Sequence, residues 1–227
     1  MLWYDYYYFI LVVPALIIAG IAQLNVKKTY NTMAKIANRK RLTGAQAAAM
    51  VLNNYGINNV RIEVGQGRLS DHYDPRSNII RLSPEVFSGT SIAAVGIACH
   101  EAGHAAQHAQ NYIPIKVRNA ILPVANIGST LGFYLAIFGY FLGYGLLIDI
   151  GIILFASVTV FQLVTLPIEF NASRRAISVI DENGMLYEDE IPKAKKVLFA
   201  AAMTYVASLL VSVMSLLRLI LRTRNRR

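Results

Sequence analysis

The sequence predicts an α+β fold: a predominantly helical, multi-pass membrane protein that carries a small domain with a short β-sheet. Of its 227 residues, 55% are hydrophobic and only 15% are charged, whereas an average soluble domain carries roughly 25% charged residues. The apolar residues are concentrated in uncharged runs of membrane-spanning length. The polar residues form one connected segment, 25–118, which is long enough to fold as a domain.

The charge balance is basic, with 22 Lys and Arg against 13 Asp and Glu and a formal net charge of +9. A basic protein often binds nucleic acid. Here the basic residues lie beside the apolar runs, so we expect a lipid bilayer as partner and no nucleic acid. The apolar content excludes a disordered chain. The single cysteine, Cys99, excludes an internal disulfide framework and a multi-cysteine zinc site.

The first predicted span covers residues 1–24. From residue 6 onwards it carries no charged residue. The uncharged run is close to the ~20 residues that a spanning helix needs. Trp3 and Tyr4, with the tyrosines that follow, are typical of the aromatic belt at a membrane interface. Asp5 stands where a cleaved signal peptide would carry basic residues, so we expect this segment to remain as a span.

The second apolar block, residues 119–168, is long enough for a hairpin of two spans. Glycines cluster near its middle, where the turn is expected, and this would place Asp149 at the far membrane interface. A buried carboxylate with a transport role is the competing interpretation of Asp149. Residues 197–227 are expected to form a fourth span and a basic tail.

Lys and Arg near the span ends set the expected orientation. They are absent before the first span and frequent in segments 25–118 and 169–196, so we expect both segments in the cytoplasm. The arginine-rich tail disagrees, because four full spans would place it outside. Either the earlier signals dominate, or the last helix does not fully cross the membrane.

Within 25–118 the expected order is helix, small sheet, helix. Thr43 and Gln46 form a capping-box pattern before the first helix, and Gly56 is expected to end it. The turn-forming residues Gly, Asp and Pro separate three β-like stretches. These are Val60–Val64, Arg68–Tyr73 and Ile79–Leu82.

The last helix of this segment carries a motif with metal-binding spacing. A short helix opens at Pro84, and Thr90 or Ser91 is expected to cap the longer helix that follows. That helix contains HEAGH, from His100 to His104, and four residues on an α-helix turn ~400°, so the two imidazoles share one face. Both can reach one Zn²⁺, and the adjacent Glu101 can take a proton from a metal-bound water.

A catalytic zinc site needs a third protein ligand. His108 lies on the same helix as His104, so we expect it to contact the surroundings of the site or the surface instead of the metal. Glu169 stands at the cytoplasmic end of the third span, where an unpartnered carboxylate is costly and zinc would be its partner. A salt bridge from Glu169 to Arg174 or Arg175 is the alternative.

HEAGHAAQH, the preceding DHYDPRSNIIRLSPEVF and the later PIEFNASRRA resemble the bacterial neutral zinc metallopeptidases of the YugP type. The resemblance covers essentially the whole chain and extends more distantly to HtpX-type membrane proteases. It implies a gluzincin-like zincin domain in a bacterial cell membrane protein, with one Zn²⁺ per chain. It also implies that His100, His104 and Glu169 bind the zinc and that Glu101 is the general base.

The resemblance leaves the supporting residues open. Those proteases carry an aspartate where this chain has Ser173, so Asn171 is a candidate substitute for orienting a zinc histidine. A substrate could add as a β-strand along an edge supplied by Arg68–Tyr73 or Ile79–Leu82. By chemistry alone, the candidates for stabilising an oxyanion are His72, Tyr73, Arg174 and Tyr187.

Three hypotheses on function follow. The leading one is a membrane-embedded zinc metalloendopeptidase that hydrolyses membrane or membrane-proximal polypeptides with zinc-activated water. The alternative is a non-proteolytic, zinc-containing membrane scaffold or assembly factor, which predicts a closed site with His108 or His72 as fourth ligand. The third is a small transporter built around Asp149, which predicts a function independent of zinc.

Overall fold

The structure, a computed structural model, describes residues 5–67 and 70–224. The described chain is mostly helical, with a single small sheet among these residues. It divides into two compact units. The span unit comprises Met1–Gln23, Lys116–Pro167 and Met203–Arg227, and the sheet unit comprises Leu24–Ile115 and Ile168–Ala202.

Four helical segments in the described residues are long and apolar enough to cross a membrane. The first consists of a π-helical turn, Tyr8–Val12, and α1, Val13–Met33. The second consists of α5, Ile113–Ile127, a π-helical turn, Gly128–Gly132, and α6, Phe133–Leu142. The third and fourth are α7, Gly145–Glu182, and α8, Ile191–Arg224. Trp3 and Tyr4, predicted to form an aromatic belt, lie outside the described residues.

The hairpin between the second and third segments turns at residues 143–144, within the predicted glycine cluster. Gly143 ends α6 with a φ of +73°, a left-handed conformation that glycine adopts without steric cost. Asp149 follows in the exposed beginning of α7.

Glycines let the two arms of this hairpin approach backbone to backbone. A Cβ built on Gly132 would lie 2.8 Å from the backbone nitrogen of Phe155, and one on Gly151 would lie 2.4 Å from that of Ala136. Membrane helices commonly pack through such small residues, because dispersion contacts between closely approaching backbones replace the hydrophobic effect. The span unit is therefore held together largely by tight apolar packing.

One polar cluster joins the first and last spans within the span unit. Asp5 Oδ2 accepts hydrogen bonds from Arg218 Nη2 and Arg222 Nη1, each at 2.7 Å. The Arg218 guanidinium also lies 4.9 Å from the centroid of the Tyr8 ring, and that of Arg222 lies 5.4 Å from the Tyr140 ring. The end of α8 thus contacts the start of the first span.

The sheet unit contains three short strands: β1, Arg61–Val64, β2, His72–Asp74, and β3, Ile79–Leu82. Their order is β1-β3-β2, with β1 parallel and β2 antiparallel to β3. The prediction that Ile79–Leu82 could offer a free edge was wrong. This strand is central because its apolar side chains are buried, and the free edges belong to β1 and β2. The start of the predicted stretch Arg68–Tyr73 lies outside the described residues.

The helices of the sheet unit begin where the capping signals predict. Thr43 and Gln46 form the capping box of α2, Gly44–Asn54, and Gly56 follows with a φ of +66°. A short helix, α3, spans Pro84–Phe87. Of the two candidate caps for α4, Ile92–Ala109, the structure uses Ser91, whose hydroxyl accepts the N–H of Ala94 at 3.1 Å.

Candidate metal centre

Three side chains with metal-ligating atoms converge in the sheet unit. His100 and His104 lie one turn apart on α4, with ring centroids separated by 4.7 Å. Glu169 reaches them from α7, and its Oε2 lies 3.4 Å from His100 Nε2 and 3.6 Å from His104 Nε2. One donor atom from each residue lies within 4.8 Å of the other two. The structure thus brings together the three residues that the sequence proposes as ligands.

The donor set fits zinc. Bonds of 2.0–2.2 Å in a tetrahedral site hold neighbouring donors about 3.4 Å apart, close to the two distances from Glu169 Oε2. The side chains of His100, His104 and Glu169 are 15%, 19% and 10% exposed. They are thus largely shielded from bulk water.

The glycine of the HEAGH motif permits this convergence. A Cβ on Gly103 would lie 2.8 Å from the main-chain oxygen of Ala172 on α7. The two helices therefore touch at their backbones one residue away from His104. This contact sets how closely Glu169 can approach the two histidines.

Glu101 lies beside the ligands and is almost entirely buried, at 9% exposure. Its Oε2 accepts the backbone N–H of Tyr73 at 3.0 Å. Tyr73 belongs to β2, an edge strand, so the sheet orients this carboxylate directly.

Burial and the neighbouring carboxylates act in opposite directions on the pKa of His104. Burial alone lowers the pKa of His104, but the hydrogen bond to Glu169 and the negative charges of Glu101 and Glu169 outweigh it. The net effect raises the pKa of His104 above its ordinary value. A bound cation would take the place of this proton between the imidazole and the carboxylates.

The outer nitrogens of the two histidines have different partners. His100 Nδ1 lies 3.1 Å from Ser173 Oγ, and His104 Nδ1 lies 3.0 Å from Gln107 Oε1. Asn171, proposed as a substitute for orienting a histidine, contacts Gln107 instead of a ligand. Sequence reasoning missed Gln107, although its position three residues after His104 places it on the same helix face.

The structure places two other histidines outside the cluster. His108 is exposed, with its ring 6.0 Å from that of Tyr73 between centroids. His72 is exposed on β2, and its Nδ1 lies 2.7 Å from the carbonyl oxygen of Ser70. Neither belongs to the three-residue group found among the described residues.

The remaining candidates are also apart from the ligands. Arg174 is exposed and lines a groove that also contains Lys195. Tyr187 lies beneath the guanidinium of Arg39, at 4.1 Å from the ring centroid. Cys99 is buried in the core of the sheet unit, where burial raises the pKa of its thiol.

Arg175, the alternative partner of Glu169, has other contacts. Its Nε donates to Asn171 Oδ1 at 2.7 Å and its Nη1 to Gln110 Oε1 at 2.6 Å. Glu169 instead pairs with His100 and His104 among the described residues.

Fold and site together define a helical membrane protein with a candidate zinc centre. The model of the family described as "Putative neutral zinc metallopeptidase" matches residues 8–224, and the chain belongs to this family. A relative from Bacillus subtilis (strain 168), "Putative membrane protease YugP", is 42% identical over 211 residues, covering 93% of this chain and 94% of the relative. No solved structure is significantly similar. These findings confirm the family predicted from the three sequence segments.

Proposed function

We propose that this protein is a membrane-embedded zinc metalloendopeptidase. The observation that carries the proposal is the convergence of His100, His104 and Glu169 with distances that suit zinc, next to the buried carboxylate of Glu101. The family and its YugP relative support the same conclusion, since both names describe peptidases.

Each side chain has a distinct role in this proposal. His100, His104 and Glu169 would hold the zinc ion, which would supply Lewis-acid polarisation of the scissile carbonyl and a lower pKa of the attacking water. Glu101 accepts a proton from that water at its carboxylate and then donates it to the leaving amine. The hydrogen bond from Tyr73 keeps the carboxylate of Glu101 oriented beside the ligands.

The substrate would bind as an extended strand along β2. This strand has a free edge among the described strands, and its Tyr73 N–H already points to Glu101. Main-chain pairing at a sheet edge recognises a polypeptide with little dependence on its side chains. The site would therefore accept unfolded or extended segments of membrane or membrane-proximal polypeptides.

The expected location of the site is the cytoplasmic face of a bacterial cell membrane. Lys27 and Lys28 follow the apolar part of the first span, and Lys116 and Arg118 lie near the start of the second. Such residues favour the cytoplasmic side. The described ligand group consists of three protein side chains and does not include His72 or His108, which supports a catalytic site over the scaffold alternative. A catalytic site keeps its fourth position open in this way.

Replacing Glu101 tests the proposal. We expect purified Glu101→Gln protein in detergent to retain zinc, measured by elemental mass spectrometry, and to cleave an unfolded protein substrate at least about 100-fold more slowly. Glu63→Gln, at a half-exposed glutamate on β1, is the matched control and should cleave at the wild-type rate. Cleavage by Glu101→Gln at the wild-type rate, or wild-type protein without zinc, would contradict the proposal.

A further inference from the structure

Gln107 connects a candidate metal ligand to the helix that carries another. Its side chain is fully buried on α4. Its Oε1 lies 3.0 Å from His104 Nδ1, while its Nε2 donates to the carbonyl oxygen of Ile168 at 2.8 Å and to Asn171 Oδ1 at 2.9 Å. Ile168 directly precedes Glu169 on α7. Both amide hydrogens of Gln107 are thus used on the helix of the third ligand.

The orientation of this amide is fixed by two groups of unambiguous polarity. The carbonyl of Ile168 can only accept a hydrogen bond, and the guanidinium of Arg175 can only donate one. Because Arg175 donates to Asn171, the oxygen of Asn171 faces the network. Gln107 must therefore direct its NH₂ group towards Ile168 and Asn171. The reversed amide would bury its oxygen against the oxygens of Ile168 and Asn171, which is unfavourable because neither side could donate a hydrogen bond.

The fixed orientation of the Gln107 amide also determines which ring nitrogen of His104 carries a hydrogen. Gln107 Oε1 can only accept, so His104 Nδ1 must carry a hydrogen. In the neutral ring, Nε2 then keeps its lone pair, on the side where Glu169 lies at 3.6 Å. His100 lacks this constraint, because the hydroxyl of Ser173 beside its Nδ1 can donate or accept.

We propose that Gln107 is a positioning residue for the metal centre. It holds His104 in the tautomer with hydrogen on Nδ1 and ties that ring to α7, so His104 and Glu169 are arranged before a metal binds. The inference rests on the proposed function for the identity of the metal ligands. It adds a residue that touches neither metal nor substrate and acts through His104.

The test measures zinc affinity instead of peptide cleavage. Full-length protein in detergent is stripped of metal and titrated with Zn²⁺ in competition with a chromophoric chelator. We expect Gln107→Leu to bind zinc about 10- to 100-fold more weakly, as is typical when the partner of a zinc histidine is removed. The absorption spectrum of the Co²⁺-loaded variant should also change, because the His104 ring is no longer held.

Asn38→Leu is the matched control for the loss of a buried amide. Asn38 lies in the same unit, is 1% exposed, and donates to the carbonyl oxygens of Leu42 at 2.8 Å and Thr90 at 2.6 Å. Neither Asn38 nor these partners belong to the described ligand group. We expect this variant to lose stability but to keep its zinc affinity and Co²⁺ spectrum.

Asn171 tests the polarity argument even if Gln107→Leu fails to fold. Asn171→Asp keeps an acceptor for Gln107 and Arg175 and should retain zinc affinity, whereas Asn171→Leu removes that acceptor and should weaken it.

The inference is overturned if those of the Gln107→Leu and Asn171→Leu proteins that fold bind zinc no more weakly than Asn38→Leu. A wild-type protein that binds no zinc would instead overturn the proposed function. A wild type that binds zinc and cleaves peptides, with unaltered affinity in these variants, would overturn this inference alone.

Discussion

The span unit and the sheet unit both bring two helices into backbone contact at a glycine, but with different consequences. A Cβ on Gly132 in the span unit and one on Gly103 in the sheet unit would each meet a neighbouring backbone atom at 2.8 Å. The contact at Gly132 lies between apolar helices, whereas the one at Gly103 lies next to His104. In the span unit this close packing contributes to stability, and in the sheet unit it sets the spacing of the candidate metal ligands.

The largest expected difference comes from adding one methyl group in each unit. Gly103→Ala should push α4 and α7 apart and weaken zinc binding by at least about tenfold. Disturbing the groups that orient metal ligands commonly lowers metal affinity 10–100-fold. Gly132→Ala has the same overlap and should reduce stability by about 1–3 kcal/mol through overpacking, with zinc affinity unchanged. Chelator competition and detergent-based denaturation measure the two effects. Equal zinc affinities in both variants would contradict the comparison.

A change of pH is expected to have an intermediate effect on stability and zinc affinity, and this effect should arise only in the sheet unit. In the metal-free protein the raised pKa of His104 stabilises the fold below the ordinary histidine pKa, and this contribution is lost as the pH rises through the raised value. Zinc needs the neutral imidazole, so its affinity should fall about tenfold per pH unit once the pH drops below that raised pKa. Titration by chelator competition at several pH values measures this.

Glu101→Gln sharpens the pH prediction, because the charge of Glu101 helps to raise the pKa of His104. The variant should keep its zinc affinity to a lower pH than the wild type. An identical pH profile in both proteins would show that this charge does not act on the ligand.

The smallest effect on the metal centre is expected from changes at the polar cluster of the span unit. Asp5→Asn removes the charge that Arg218 and Arg222 share and should lower the stability by about 1–3 kcal/mol, with zinc affinity unchanged. Asp189→Asn is the control: its pairing with Arg39 is exposed, and such pairs contribute at most about 1 kcal/mol. Detergent-based denaturation compares the two, and equal losses would show that the cluster is no stronger than a surface pair.

Local spacing made part of the sheet unit predictable. The capping pair Thr43 and Gln46 is three residues apart, and the two histidines are four apart, so helix geometry alone places each pair. The position of Glu169 at the end of the third predicted span indicates a ligand, because a carboxylate there needs a partner. These arguments need no knowledge of the tertiary fold.

The other features of the fold and the site depend on contacts between residues that are distant in sequence, so they could not be predicted from local patterns. The hydrogen bond from Gln107 to Ile168 joins residues 61 positions apart, and no local pattern encodes it. The central position of β3 was missed because strand order depends on partners distant in sequence. The adjacent buried residues Ile79 and Ile80 carried a usable signal, since a strand covered on both faces lacks the alternation of an edge strand.

The cluster at Asp5 also bears on how the protein is made. Asp5 is synthesised 217 positions before its partner Arg222. These ion pairs can therefore form only after α8 has been synthesised as far as Arg218 and Arg222. A nascent chain that stops before Arg218 would leave an unneutralised charge at the start of its first helix.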